Sequence, residues 1–165
     1  MNFLQTKINE MKKRKEEGNK GFSLVELIIV IAIMAILVGI VGTQVIPYLN
    51  KSKASKDLQI INSFSTAAVS SYSEKADKVA STGTIEIKLY GTTNTGDAAT
   101  LASEIKEKTY KDAFPTNKMK SAEGKSIAEV KITIDLDHKK VTTQAYSDSA
   151  CTSGKEVFEA VEADL

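Results

Sequence analysis

Residues 27–41 read LIIVIAIMAILVGIV, a run of 15 apolar or glycine residues. With its flanks, the apolar segment covers residues 22–46, in which the clearly polar residues are Ser23, Glu26, Thr43 and Gln44. These 25 residues form a helix of about 37 Å, which is long enough to cross a hydrocarbon core of roughly 30 Å. The run therefore predicts a transmembrane helix at 22–46.

The segment before this run is basic. Residues 1–21 have a net charge of +3, since Lys7, Lys12, Lys13, Arg14, Lys15 and Lys20 outnumber Glu10, Glu16 and Glu17. Basic residues in front of an apolar helix place the amino terminus in the cytoplasm and send the rest of the chain outward. A secretory signal peptide has an apolar region of about 7 to 15 residues followed by a pair of small residues, and residues 39–47 (GIVGTQVIP) lack that pair.

Glu26 is the unusual residue of the apolar segment. A carboxylate at the bilayer centre costs about 2.5 to 3.5 kcal/mol, whereas the 16 Leu, Ile, Val and Phe residues each return about 0.3 to 0.6 kcal/mol. The gain from the apolar residues exceeds the cost of Glu26, so the helix is still expected to insert into the membrane. Glu26 is then either a tolerated interfacial charge or an acid with a cationic partner. Since no cation follows within two turns, such a partner has to come from outside this helix or from processing of the chain.

The motif Lys20-Gly21-Phe22-Ser23-Leu24-Val25-Glu26, followed by the apolar run, resembles the class III signal sequence of type IV prepilins and pseudopilins. The resemblance implies that a membrane-embedded prepilin peptidase cuts between Gly21 and Phe22 and methylates the new Phe22 amine. It further implies that Glu26 acts in assembly, where it meets the Phe22 cation of a neighbouring subunit and selects one register.

The segment after the apolar run departs from the family in one respect. Many pilins have a helix-bending proline where this chain has Thr43, whereas the proline here is Pro47. Pro47 removes a helical hydrogen bond and clashes with the carbonyl of Thr43. A kink or local melting between Gly42 and Pro47 is therefore predicted.

Beyond Pro47 the pattern becomes amphipathic. Apolar residues recur at three and four positions through Ala54, Leu58, Ile61, Phe64, Ala68 and Tyr72, with Lys51, Lys53, Lys56, Asp57 and Ser63 between them. One helix from about residue 22 to about residue 78 is expected, although two helices separated by a loop at Pro47 are an alternative. Three parts follow: a cleaved leader at 1–21, a transmembrane and polymerisation helix at 22–46, and an amphipathic continuation with a globular head at 47–165.

The head has a mixed pattern. Strands are predicted at 84–90 (TIEIKLY), 127–134 (IAEVKITI) and 141–146 (VTTQAY), the last two as a hairpin. A loop at 91–96 and a short helix around Leu101 and Ile105 lie between them, and the spacing at 157–165 favours a helix over a closing strand. The predicted fold is α+β, a long N-terminal helix packed against a small antiparallel sheet, as in pilins.

Several functions are not supported by the composition. Residues 22–165 have a net charge of −2 and no basic stripe, so no nucleic-acid partner is expected. Cys151 is the one cysteine and excludes an intrachain disulfide, while His138 is the one histidine and excludes a histidine-based triad within one chain. The acids near His138 lack the pattern of a calcium loop. No catalytic centre, metal site or cofactor is predicted.

The function implied by the resemblance is structural. The chain is expected to be a cytoplasmic-membrane precursor that polymerises with copies of itself into an extracellular type IV pilus, through an assembly platform and its ATPases. Such pili serve adhesion, aggregation and twitching motility. The alternatives are a minor pilin, a pseudopilin of a secretion or competence apparatus, and a monomeric membrane-tethered binding protein with an uncut anchor.

Overall fold

The computed structural model describes the backbone of residues 3–18 and 23–165. It divides into two compact units, Met1–Pro47 and Tyr48–Leu165. The first unit contains helix α1 (Phe3–Gly18) and helix α2 (Leu24–Ile40). The second unit, which we call the head, contains most of helix α3 (Ile46–Lys75), a four-stranded sheet, two further α-helices and a short 3-10 helix at Thr116–Lys118.

The long helix predicted from the apolar run is present. Its helical backbone is continuous from Leu24 to Lys75, with a π-helical turn at Val41–Val45 between α2 and α3. The alternative of two helices separated by a loop is therefore wrong. The helix ends at Lys75, three residues before the predicted end, in a turn closed by a bond from Lys78 N–H to the Lys75 carbonyl.

The predicted kink or melting before Pro47 takes the form of a π-helical turn. Ile46 donates its N–H to the carbonyl of Val41, five residues earlier, instead of four. The Thr43 hydroxyl bonds back to the Gly39 carbonyl at 2.9 Å. Because proline cannot donate to the carbonyl four residues before it, a wider turn accommodates Pro47 without ending the helix.

Helix α3 packs its predicted apolar stripe into the head. Ile61, Phe64 and Ala68 are buried, while Leu58 and Tyr72 are partly buried against the same core. The interpretation of Asp57 as one of the polar residues between the stripe positions is wrong, because this side chain is only 1% exposed. Its burial depends on hydrogen bonds from a distant segment of the chain, described below.

The sheet is antiparallel, with strands in the order of the sequence. The strands are β1 (Thr84–Lys88), β2 (Glu129–Asp135), β3 (Lys140–Tyr146) and β4 (Val161–Asp164). The predicted hairpin is confirmed, since β2 and β3 pair from Asp135↔Lys140 to Glu129↔Tyr146. Strand β1 stops two residues short of its predicted end because Tyr90 N–H bonds the Glu129 carboxylate at 2.7 Å.

The helix favoured for residues 157–165 is wrong. Strand β4 pairs with β3 through Val141↔Ala163 and Thr143↔Val161. The spacing of Val157, Phe158, Val161 and Leu165 imitates a helical repeat, but the free edge of β3 offers backbone donors and acceptors that only a strand satisfies.

The core of the head lies between α3, one face of the sheet and helix α4 (Gly96–Lys108), which contributes Leu101, Ala102 and Ile105. Helix α4 confirms the short helix predicted around Leu101 and Ile105. Phe64 lies at the centre of an aromatic cluster, with ring centroids 5.9 Å from Phe114 and 6.3 Å from Tyr90. The α+β fold with a long N-terminal helix and a small antiparallel sheet is thereby confirmed.

Candidate processing and assembly site

The described part of the candidate site is the first turn of α2. Ser23 is the N-cap of this helix and its hydroxyl accepts a hydrogen bond from Val25 N–H at 3.3 Å. The Glu26 carboxylate reaches back and accepts the Ser23 N–H at 2.8 Å. The two residues form a capping box that satisfies otherwise unpaired N–H groups at the helix start.

The capping box changes the interpretation of Glu26. A cationic partner was expected from outside the helix, whereas the carboxylate already accepts a hydrogen bond from a neutral donor three residues earlier in its own chain. The helix N-terminus also carries partial positive charge, which favours an acid in the first turn. An S-x-x-E pattern before an apolar run predicts a capping box, and residues 23–26 have this pattern.

Gly21 and Phe22, the predicted cleavage and methylation residues, lie outside the described residues, so both roles stay predictions. The chain order still gives the capping box a consequence for them. Cleavage at Gly21 would create an amine on Phe22, one residue before the Ser23 N–H that Glu26 contacts. The cation would then arise next to an oriented carboxylate.

The surface that follows the capping box is apolar and uncovered. Every residue of 23–50 is exposed, with side chains such as Leu24, Ile33 and Val38 between 51% and 75% exposed. By length and composition, the helix that begins at Leu24 is able to cross a membrane. A segment of this kind requires lipid or other apolar helices as its cover.

Two acidic residues of the head are buried, which the sequence pattern did not predict. Asp57 accepts the N–H groups of Lys120 and Ser121, each at 2.7 Å, and the Ser121 hydroxyl at 2.5 Å. Glu129 is fully buried and accepts N–H groups from Tyr90, Gly91 and Val130. Both carboxylates bind loops to the core, which is a structural role.

The acidic cluster before His138 forms a turn. Asp135 accepts N–H groups from Asp137 and His138 at 3.1 and 3.0 Å, and its second oxygen lies 2.8 Å from His138 Nδ1. These bonds, together with the His138 charge, hold the pKa of Asp135 below its ordinary value. Within 3–18 and 23–165 no group of three His, Cys, Asp or Glu side chains has the arrangement of a metal site.

Residues 18–42 match the family described as the prokaryotic N-terminal methylation motif. This match includes the capping box and the apolar run, and it confirms the resemblance drawn from Gly21, Phe22 and Glu26. The motif is characteristic of type IV pilins and pseudopilins. It covers 25 of the 165 residues and does not extend into the head. Searches of curated proteins and of solved structures gave no match.

Proposed function

We propose that this chain, which carries the prokaryotic N-terminal methylation motif, is the major subunit of a type IV pilus. In this proposal the leader is cut between Gly21 and Phe22, the Phe22 amine is methylated, and the mature chain polymerises through its apolar helix. The observation that carries the proposal is the uncovered apolar surface beginning directly at the Ser23–Glu26 capping box. A separately compact head is the part that would face the outside of a fibre.

Two roles are considered for Glu26, helix capping and charge pairing in assembly, and they predict different effects of substitution. As a helix cap it needs only an oxygen that accepts the Ser23 N–H. As an assembly residue it needs a negative charge that pairs with the Phe22 cation of a neighbouring subunit in a low-dielectric helix bundle. Glutamine also occurs at this position of capping boxes but has no charge. Glu26→Gln should therefore keep the capping role and remove the charge-pairing role.

We expect Glu26→Gln to enter the membrane and to be processed, because the variant lowers the insertion cost and leaves the cleavage residues unchanged. Removing one partner of a buried pair costs about 3 to 5 kcal/mol, so fibre yield should fall by about two orders of magnitude or more. The measurement compares sheared fibres with the membrane pool of processed subunit.

Ser23→Ala is the matched control, since it removes the cap hydroxyl and keeps the charge of Glu26. Its helix loses about 1 kcal/mol, and fibre yield should stay within a few fold of the parent chain. Normal fibres from Glu26→Gln would overturn the charge-pairing role, whereas unprocessed precursor would place Glu26 in recognition by the peptidase.

Mass spectrometry of sheared fibres tests the whole proposal. It should find an abundant chain that begins at N-methylated Phe22. A processed chain present only in traces would instead favour a minor pilin or pseudopilin. A chain that retains its leader and remains in the membrane would indicate a tethered binding protein.

A further inference from the structure

Helix α1 belongs to the segment that the proposed cleavage removes. It spans Phe3–Gly18, and residues 5–13, whose side chains the structure describes, are all exposed. Two of these are large apolar side chains, Ile8 at 51% and Met11 at 63% exposure. A leader whose only duty is to carry positive charge has no need of a helix with an apolar surface.

The charged residues between positions 5 and 13 are unevenly arranged around α1. At about 100° per residue, Ile8 and Met11 lie on one face of the helix, and we call these two exposed side chains the leader stripe. Among residues 5–13, the basic residues Lys7 and Lys12 lie within about 80° of the centre of this stripe, one on each side, whereas Glu10 and Lys13 lie on the far half.

Orientation in the membrane does not explain this uneven arrangement. The positive-inside preference depends on the number of basic residues near the apolar segment and is satisfied by any arrangement around α1. Basic residues on both sides of an apolar stripe, with the acidic Glu10 opposite, are instead the pattern of a helix that lies in a membrane interface. Its apolar side contacts the acyl boundary and its flanking cations contact anionic headgroups.

The chain also confines α1 to the neighbourhood of the membrane. Six residue steps separate Gly18 from Leu24, where the apolar helix begins, so the end of α1 lies within about 20 Å of that helix. A tether this short gives even a weakly binding helix a high effective concentration at the lipid surface. A leader stripe of two apolar side chains binds weakly by itself and depends on this tether and on charge.

We propose that α1 lies on the cytoplasmic surface of the membrane before cleavage, with its leader stripe toward the lipid and its flanking cations bound to anionic phospholipid headgroups. The inference rests on the membrane insertion that the proposed function requires. It gives the leader a positioning role, because a helix fixed on the membrane holds the Gly21–Phe22 bond at the interface.

The test uses the full uncleaved chain with Cys151→Ser and one added cysteine, labelled with a polarity-sensitive fluorophore. Ile8→Cys and Met11→Cys place the probe on the leader stripe, whereas Thr6→Cys and Asn9→Cys place it on the far half. In phosphatidylcholine vesicles with phosphatidylglycerol, lipid-borne quenchers should reach the first pair and leave the second pair unaffected. In pure phosphatidylcholine the difference should disappear.

Two neighbouring lysines provide the matched charge comparison. Lys12 is beside the leader stripe and Lys13 is opposite, so Lys12→Gln and Lys13→Gln change the net charge equally. One cation near an anionic leaflet is worth about five-fold in binding, so Lys12→Gln should lower the ratio of bound to free leader by about five-fold. Lys13→Gln should lower it by less than about two-fold.

Equal quenching at all four positions, or equal effects of the two lysine variants, would overturn the inference. So would a signal that weakens when the protein is diluted in lipid, because that outcome identifies a second copy of the chain as the partner. Carbonate extraction of the same vesicles reports insertion separately. A chain that fails to insert contradicts the proposed function, whereas an inserted chain with four equally exposed probes contradicts only the leader inference.

Discussion

The apolar helix and the head use hydrophobic residues in opposite ways. Residues 23–47 are the most apolar part of the chain, and all of them are exposed. The 18 buried apolar side chains found in the described part of the chain all lie between Ile61 and Ala145, in the head. Apolar content therefore does not identify a core, because burial requires elements that return to cover one another.

The first way to test this comparison is to separate the two regions. A chain beginning at Tyr48 should be a soluble monomer that unfolds cooperatively, because its core closes without the apolar helix. The chain beginning at Ser23 should require detergent or lipid. Sedimentation and thermal circular dichroism, with and without reductant, check both statements. A head that aggregates or unfolds without cooperativity would show that the two regions are not independent.

A second test makes the same kind of truncation in each region. Phe64 is fully buried and its ring contacts Phe114 and Tyr110, so Phe64→Ala should lower the free energy of unfolding of the head by about 3 to 5 kcal/mol. Ile33 is 51% exposed in the other unit, and Ile33→Ala should leave that free energy unchanged. Urea unfolding of the full chain in detergent, monitored by the near-ultraviolet circular dichroism of tyrosine, measures the free energy of unfolding of both variants. If the two variants lowered the free energy of unfolding of the head equally, the difference drawn between the two regions would be contradicted.

A third test compares a buried and an exposed carboxylate of the head. Glu129 accepts three backbone N–H groups, and Glu129→Gln turns one acceptor into a donor that faces another donor. Its expected cost is about 1 to 3 kcal/mol. Glu86 is exposed and pairs with Lys131 at 2.7 Å, so Glu86→Gln should cost less than about 1 kcal/mol. Denaturant midpoints of the isolated head show whether Glu129→Gln lowers stability more than Glu86→Gln does.

The smallest expected effect concerns pH. Asp97 accepts the N–H groups of Ala80 and Ser81 at 3.0 and 2.8 Å and the Ser81 hydroxyl at 2.5 Å, and the Ser81 bonds hold its pKa below the ordinary value of 3.8. Since the folded pKa is the lower one, this contribution is complete above pH 3.8 and is lost as the pH falls through the folded pKa.

Asp97→Asn should therefore flatten the acid limb of the stability curve below about pH 4. Asp112→Asn, which removes an exposed carboxylate without these bonds, is the control and should leave the limb unchanged. Melting temperatures between pH 2 and pH 7 measure the two slopes. Parallel slopes for both variants would show that the Asp97 contacts do not contribute.

Local patterns in the sequence were sufficient for the elements that depend on local periodicity. The run at 27–41 predicted the apolar helix, the repeat from Ala54 to Tyr72 predicted the buried side of α3, and alternation predicted the β2–β3 hairpin. Each of these follows from side-chain spacing within one element. The capping box at Ser23 and Glu26 is equally local and was available from its S-x-x-E spacing.

Tertiary structure decided what depends on a distant partner. Asp57 is buried because N–H groups 63 and 64 residues later bind it, and Glu129 is buried because Tyr90 and Gly91, 39 and 38 residues earlier, do the same. Strand β4 forms because the edge of β3 lacked partners, against a spacing that favoured a helix. A carboxylate or a strand edge is stable inside a protein only when its hydrogen bonds are satisfied, and the groups that satisfy them are brought near by the fold.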